Sequence, residues 1–213
     1  MMLRPAMPAD VDEMLSVKSA LVFEETTVST EGGFLLGSTA EGYRQRISQN
    51  LSWVIDDNGI KGFSIILPDR ALRMSEIWSR RSEIVWEIDP EPIERSVLGY
   101  YDQLAVLPGP WRHLAPALAI VSVMDFLRQD PDYLFSSTVI KPVINQAAVP
   151  YLQYLGGKRV GILDEEDPVV GQLVSDIWLA PRRTIDQFLN SPPSTAIEGY
   201  VELASESLKR HKP

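Results

Sequence analysis

Hydrophobic and polar positions alternate along this chain with two periods, and the switches between them mark its elements. Residues 2–5 read as a short strand, and Pro8 with Asp10 opens a helix. Its apolar positions Val11, Met14, Leu15, Val17, Leu21 and Val22 recur at helical spacing. A second helix is predicted over 39–49. Two apolar runs, 51–55 and 60–67, flank Asp56-Asp57-Asn58-Gly59, a strong hairpin signal. Residues 71–81 can form a helix with Leu72, Ile77 and Trp78 apolar, followed by the acidic, proline-containing stretch 89–95. The chain is organised around residues 100–128: an apolar strand, a Pro/Gly turn, then a long helix whose apolar stripe is core. Beyond it lie a strand at 134–140 and a helix at 145–155, broken or begun near Pro150. Two last strands at 158–163 and 175–179 are separated by an acidic turn at 164–168, and a short helix follows at 182–189.

A strand that runs through a tight turn into a helix N-terminus points backbone N–H groups at one place, where a phosphate or a carbonyl can be held. On the strand itself, two-residue alternation puts Tyr100 and Asp102 on one face and Tyr101, Gln103 and Ala105 on the other. A carboxylate in an apolar strand is costly to bury unpaired, so Asp102 is either a base at a cleft or a structural partner of an arginine or of backbone amides. The glycine-rich, apolar-centred stretch 31–38 is either a substrate lid or an ordinary loop that buries Phe34. The run Asp164 to Asp167 is a solvated turn or a lure for a cation.

These elements resemble the GNAT acyltransferase superfamily, in which a strand ending V-x-P leads through a Q/R-x-x-G-x-G/A loop into a helix and the loop cradles the pyrophosphate of acetyl-CoA. The strand end Leu104-Ala105-Val106-Leu107-Pro108 and the helix start Ala117-Leu118 carry the match, with Ala115 an accepted last loop residue. Pro110 replaces the Gln or Arg, and His113 the middle glycine, so His113 either points away or touches the phosphate itself. Leu3-Arg4, Ala6 and Asp10 follow the family's I-R-x-A-x-x-x-D opening. Trp53-Val54-Ile55 with Gly62-Phe63 echo its second and third strands. Asn145, Ala148, Tyr151, Leu155 and Gly156 keep the register of its N-x-x-A-x-x-(F/L)-Y-x-x-x-G-F segment.

The resemblance implies an α/β fold of GNAT type: a mixed, twisted central sheet splayed at its centre, helices on both faces, and an insertion at about 69–95 between the third and fourth strands. That insertion shapes substrate choice or uses Trp78 and Trp86 as a dimer contact. It implies one domain over 1–190, followed by a polar tail or docked helix over 191–213 that ends in a solvated His211. Acetyl-CoA is then the co-substrate, with Leu104, Ala105 and Val106 at the pantetheine and acyl group. Trp111, Arg112, His113, Leu114, Ala115 and Pro116 lie at the pyrophosphate, and Asn145 belongs to the same cofactor set. Transfer is direct, to an amine of an unidentified acceptor, without a metal.

The family's tyrosine acid falls on Leu152, which has no proton to give. Tyr151 and Tyr154 sit about 100° and 200° round a helix from it, as acid candidates or as packing. The losses at Pro110, His113 and Leu152 also fit a GNAT-like binding or dimeric interaction protein that no longer turns over.

Composition narrows the field further. With 20 basic against 29 acidic side chains the net charge is −9, which opposes nucleic acid and anionic membrane as partners. The absence of cysteine excludes disulfides, thiolate metal sites and a cysteine nucleophile, and favours the cytosol. Two histidines, His113 and His211, leave little material for a catalytic triad or a histidine-rich metal site.

Overall fold

The computed structural model describes residues 1–21, 28–29, 39–48, 51–167 and 171–211. The first half of the described chain contains β1 (Met2–Pro5), α1 (Val11–Ala20), β2 (Val28–Ser29), α2 (Ala40–Ile47), β3 (Ser52–Asp56) and β4 (Ile60–Pro68). A connection of short pieces follows, α3 (Asp69–Arg73), α4 (Glu76–Ser79), β5 (Val85–Trp86) and α5 (Glu91–Glu94). The second half holds β6 (Leu98–Val106), α6 (Ala115–Leu127), β7 (Tyr133–Lys141), β8 (Ile144–Asn145) and α7 (Val149–Tyr154). It ends in β9 (Lys158–Asp167), β10 (Gly171–Pro181), α8 (Arg182–Asn190) and α9 (Thr195–Arg210).

Local chemistry sets several of these boundaries. Asp10 accepts the Met7 N–H at 2.7 Å ahead of α1 and is gripped by both terminal nitrogens of Arg4 at 2.7 and 2.8 Å. Thr39 caps α2 by accepting from Gly42 N, and Ser194 caps α9 by accepting from Ile197 N. In the β3–β4 hairpin Asn58 and Gly59 take φ of 53° and 110°, the left-handed region that Asn-Gly turns supply at low cost.

Eight strands form one sheet in the order β1-β3-β4-β6-β7-β10-β9-β5, and β2 pairs with β8 apart from it. Every neighbour in the large sheet is antiparallel except β6 with β7. This is the mixed α/β sheet expected from the sequence. One hydrophobic cluster fills each face. Val54, Phe63, Ile65, Leu98 and Ile177 pack against α1, α2 and the short helices. Trp53, Ile55, Ile66, Leu134 and Ala180 pack against α6, α8 and α9. Alternate strand residues feed opposite clusters, so each buried strand is apolar on both sides.

The connection between β4 and β6 crosses the first of these faces. It leaves β4, pins Trp78, Ile84 and Ile93 into the core, pairs Val85 and Trp86 with Ile162 and Gly161 of β9 at the far edge of the sheet, and returns to β6. It thus straps one half of the sheet to the other. Trp78 is buried between the guanidinium groups of Arg73 and Arg81, at 4.3 and 5.3 Å, so it is no dimer contact.

Several sequence expectations need correction. The helix over 71–81 is two short helices interrupted at Met74 and Ser75, because Ser75 caps α4 by accepting from Trp78 N. Asn145 lies in β8 rather than in the helix over 145–155, which starts only at Val149 with Pro150 in its first turn. The acidic residues from Asp164 to Asp167 are strand rather than turn, because β10 pairs them residue by residue out to Gly171↔Asp167. The terminal helix docks, with Ala204 and Leu208 buried in the second cluster, and His211 meets the Trp53 ring edge-on at 6.0 Å. The glycine-rich stretch 31–38 lies outside the described residues. Among the described residues no helix is long and apolar enough to cross a membrane.

Candidate active site

Two irregularities of β6 create the site. Pairing with β7 runs from Leu98↔Tyr133 to Tyr101↔Ser136 and no further, while both strands continue for five residues. The sheet therefore opens into a wedge between 102–106 and 137–141, and backbone groups along those two edges are left for a ligand. The second irregularity is a β-bulge. Ile65 faces Gln103 and Ile66 faces Tyr101, so Asp102 is the extra residue.

The bulge overturns the alternation read from the sequence. Gln103 joins Tyr100 and Asp102 on the α1–α2 face, where Tyr43 Oη donates to Gln103 Oε1 at 2.7 Å, and Ala105 packs there too. Tyr100 and Asp102 share a face as expected, and of the three residues expected opposite them only Tyr101 lies there, with Leu104 and Val106. The Tyr101 hydroxyl bonds Ser64 Oγ at 2.7 Å. Tyr100 Oη bonds Ser137 Oγ at 2.7 Å across the wedge and fixes how far it opens at that level.

A cavity of about 990 Å³ runs through the wedge. Along β6 it is lined by Leu104, Ala105 and Val106, and on the α6–α7 side by Ala115, Pro116 and Ala119 of α6, small residues that leave a groove along the helix. Arg112 lines the same side, and Asn145 contributes through β8. Trp111, His113 and Leu114 do not line the cavity. Trp111 donates to Asp57 Oδ2 at 2.8 Å and lies under Lys61, His113 is exposed, and Leu114 is buried in the core. The indole bond ties the turn before α6 to the β3–β4 hairpin and leaves Arg112 as the cationic side chain facing the groove. The sequence places all six of these residues in one loop frame. A 3-10 turn over Arg112–Leu114 turns half of them away from the cavity.

Tyr151, Leu152 and Tyr154 of α7 all line the cavity, Leu152 as a buried side chain. Burial pushes the Tyr151 hydroxyl up, Tyr200 of α9 adds to this and Arg112 opposes it, so Tyr151 keeps its proton at neutral pH. Tyr154 is half exposed, with its ring stacked on Phe188 at 6.3 Å.

On the opposite side Asp102 lies at the bend of the wedge. Arg46 Nε is 3.0 Å from Asp102 Oδ2 as an ion pair, yet that oxygen is buried with no hydrogen bond of proper geometry among the described residues. Burial pushes the Asp102 carboxyl up against the pull of Arg46 and Lys18. Arg80 and Glu165, paired with each other, line this side as well. The sequence reading missed Arg46, although the spacing of Tyr43, Arg46 and Ile47 puts Arg46 near the buried face of α2. It had no signal for Arg80 and marked Glu165 only as part of the acidic run 164–167; the two meet across 85 residues.

No protein-family model matches the chain, and no curated protein matches it by sequence. Solved structures do match by shape. Naa20 of Chaetomium thermophilum, in complex with a bisubstrate analogue, superposes with a TM-score of 0.58 at 10% identity over 88% of this chain and 90% of that one. An acetyltransferase of the GNAT family from Streptococcus pneumoniae gives 0.51 at 15% identity over 84% and 96%. A putative acetyltransferase from Salmonella typhimurium with its cofactor acetyl-CoA gives 0.52 at 13% identity over 85% and 93%. The chain has the GNAT fold.

Proposed function

We propose that this chain is a divergent GNAT enzyme that transfers an acetyl group from acetyl-CoA directly to an amine. The observation that carries the reading is the open wedge beside the Asp102 bulge within a GNAT fold. The residues present suit the co-substrate. The free edge of 103–106 can hydrogen-bond an extended amide chain, Ala115 and Ala119 leave room for it along α6, and Arg112 at the mouth complements phosphate. Acetyl-CoA, when bound, supplies the acyl group as a thioester.

The chain's own groups then divide the remaining tasks. The Asp102 carboxylate, which lines the cavity, takes the proton of the incoming ammonium, and its raised affinity for protons suits a base. Tyr151 Oη, held protonated by burial, gives a proton to the departing thiolate in place of the tyrosine replaced by Leu152. The walls of the cavity orient the amine and exclude water. The lack of cysteine in the sequence supports a reducing cytosolic setting.

Calorimetric titration with acetyl-CoA and with CoA tests the reading. Saturable binding in the wild type, weakened about tenfold or more in Arg112→Ala, is the expected result. Failure of the wild type to bind either ligand overturns it and leaves a GNAT-like interaction protein.

A further inference from the structure

On the α1–α2 side, helix α2 is joined to the bulge of β6 at two points. Tyr43 and Arg46 lie three residues apart on one face of α2. Tyr43 is buried and ties the helix to the bulge through the bond from its hydroxyl to Gln103, and its ring lies 5.9 Å from the Arg46 guanidinium. Arg46 Nε is thereby delivered to 3.0 Å from Asp102 Oδ2. That oxygen is enclosed, yet Asp102 lines the cavity, so the carboxylate oxygen left at the floor of the wedge for an amine is Oδ1. Among the described residues, the other charged and titratable groups around Asp102 are Lys18 of α1, Tyr43, Tyr100 of its own strand and, beyond Tyr100, Glu165 of β9, which is paired with Arg80 of the strap. Lys18 is the weaker counter-charge of the two cations, because burial and Arg46 both lower its own affinity for a proton, whereas a guanidinium stays charged.

Resting on the acyltransferase reading, we infer that Arg46 is a positioning residue for the reaction: it draws Oδ2 of Asp102 towards α2 and keeps the carboxylate ionised, so that Oδ1 faces the ammonium of the acceptor. A carboxylate buried here without a counter-charge would hold its own proton at neutral pH and could take no other. A cation seated on the reacting oxygen would instead block it. Arg46 at the far oxygen meets both demands, since it stabilises the charge of the whole carboxylate and leaves the cavity-facing oxygen to the substrate. The proton then passes from the ammonium nitrogen to Oδ1, the N–H bond breaking as the O–H bond forms. The lone pair set free attacks the thioester carbonyl, and Arg46 keeps its own proton throughout.

The test follows thiol release from acetyl-CoA by the intact protein from about pH 5 to about pH 9, with 2-phenylethylamine, spermidine and a free-N-terminus hexapeptide supplied together as acceptors. Wild type, Arg46→Gln, Arg46→Lys and, as a control on the same helix, Arg44→Ala are compared, with circular dichroism and calorimetric CoA binding as checks on the fold. The titration of the amines is common to all four proteins, so the differences between them report the base. In Arg46→Gln the acid limb of the profile should move up by about 1–3 pH units, because an opposite charge at this range has been taken from the carboxylate. Arg46→Lys should bring the limb most of the way back, Arg44→Ala should match the wild type, and CoA binding should be unchanged throughout. An acid limb that stays in place in Arg46→Gln, even with a lower rate, or one that Arg46→Lys fails to bring back, overturns the inference. So does a wild type that binds CoA and releases no thiol above the uncatalysed rate with any of these acceptors. Failure of the wild type to bind CoA or acetyl-CoA at all overturns the acyltransferase reading as well.

Discussion

Two buried carboxylates in this chain have opposite balances, and their pH behaviour follows. At Asp10 burial pushes the carboxyl up, but the Arg4 guanidinium and the Met7 N–H outweigh it and hold it below its ordinary value. At Asp102 burial outweighs Arg46 and Lys18, and the carboxyl is pushed up. A depressed folded-state value makes Asp10 stabilising above the unfolded value, and that stabilisation is lost as pH falls through the folded one. Asp10→Asn strands Arg4, which also binds Asp56 at 2.8 Å, and should lower the unfolding free energy by about 3 kcal/mol near neutral pH. Urea denaturation over a pH series checks this: the gap between variant and wild type should close in acid, and a gap constant down to about pH 2 refutes it. Asp102 has the reverse sign. Its raised folded-state value means that protonation favours the fold, a contribution fully present below the unfolded value and lost as pH rises through the folded one. The fold thus keeps at its bend a carboxylate that costs stability once ionised, as expected where position serves chemistry rather than packing.

Between elements, the tightest fit is that of β6 on α6. A Cβ built on Gly99 would lie 2.2 Å from the Phe126 ring, which is itself buried, so the strand and the helix approach as closely as they do only because that side chain is missing. Gly99→Ala should destabilise by about 1–3 kcal/mol and lower Tm, with the lining of the wedge otherwise intact; an unchanged thermal melt would sink this account. The elements legible in the sequence were those written by local rules. The Asn58-Gly59 turn announced the hairpin, and the apolar run of α6 announced itself. What local rules could not give was set by distant partners. The bulge at Asp102 exists because β4 and β6 pair out of step, so alternation misplaced Gln103 and Ala105. The acidic end of β9 read as a turn because its extended state depends on β10. β5 has two residues and no pattern of its own, since its place is fixed by the β9 edge. The cavity lining was legible in its β6, α6 and α7 residues and illegible in Arg80, which only the strap brings to Glu165 of β9.

Across the whole molecule, the sheet is two four-stranded leaves, β1-β3-β4-β6 and β7-β10-β9-β5, joined edge to edge by four parallel residue pairs. Helix α6 packs over β3, β4 and β6 on one face, with α9 against it and β1, and the strap spans the joint on the other. Trp78 is the strap's largest buried side chain, and Trp78→Ala should cost about 3–5 kcal/mol. Hydrogen exchange should then quicken along β5 and β9 while β1 and β3 keep their protection; uniform quickening over both leaves would refute this division. The strap also has a mechanical meaning. Both its ends are rooted in the first leaf and its middle is buckled to the outer margin of the second, so the leaves cannot part beyond the slack in residues 69–97. The gape of the molecule is therefore a length written into the chain: adding residues on either side of the buckle loosens it, removing them tightens it, and in neither case is an atom of the floor touched.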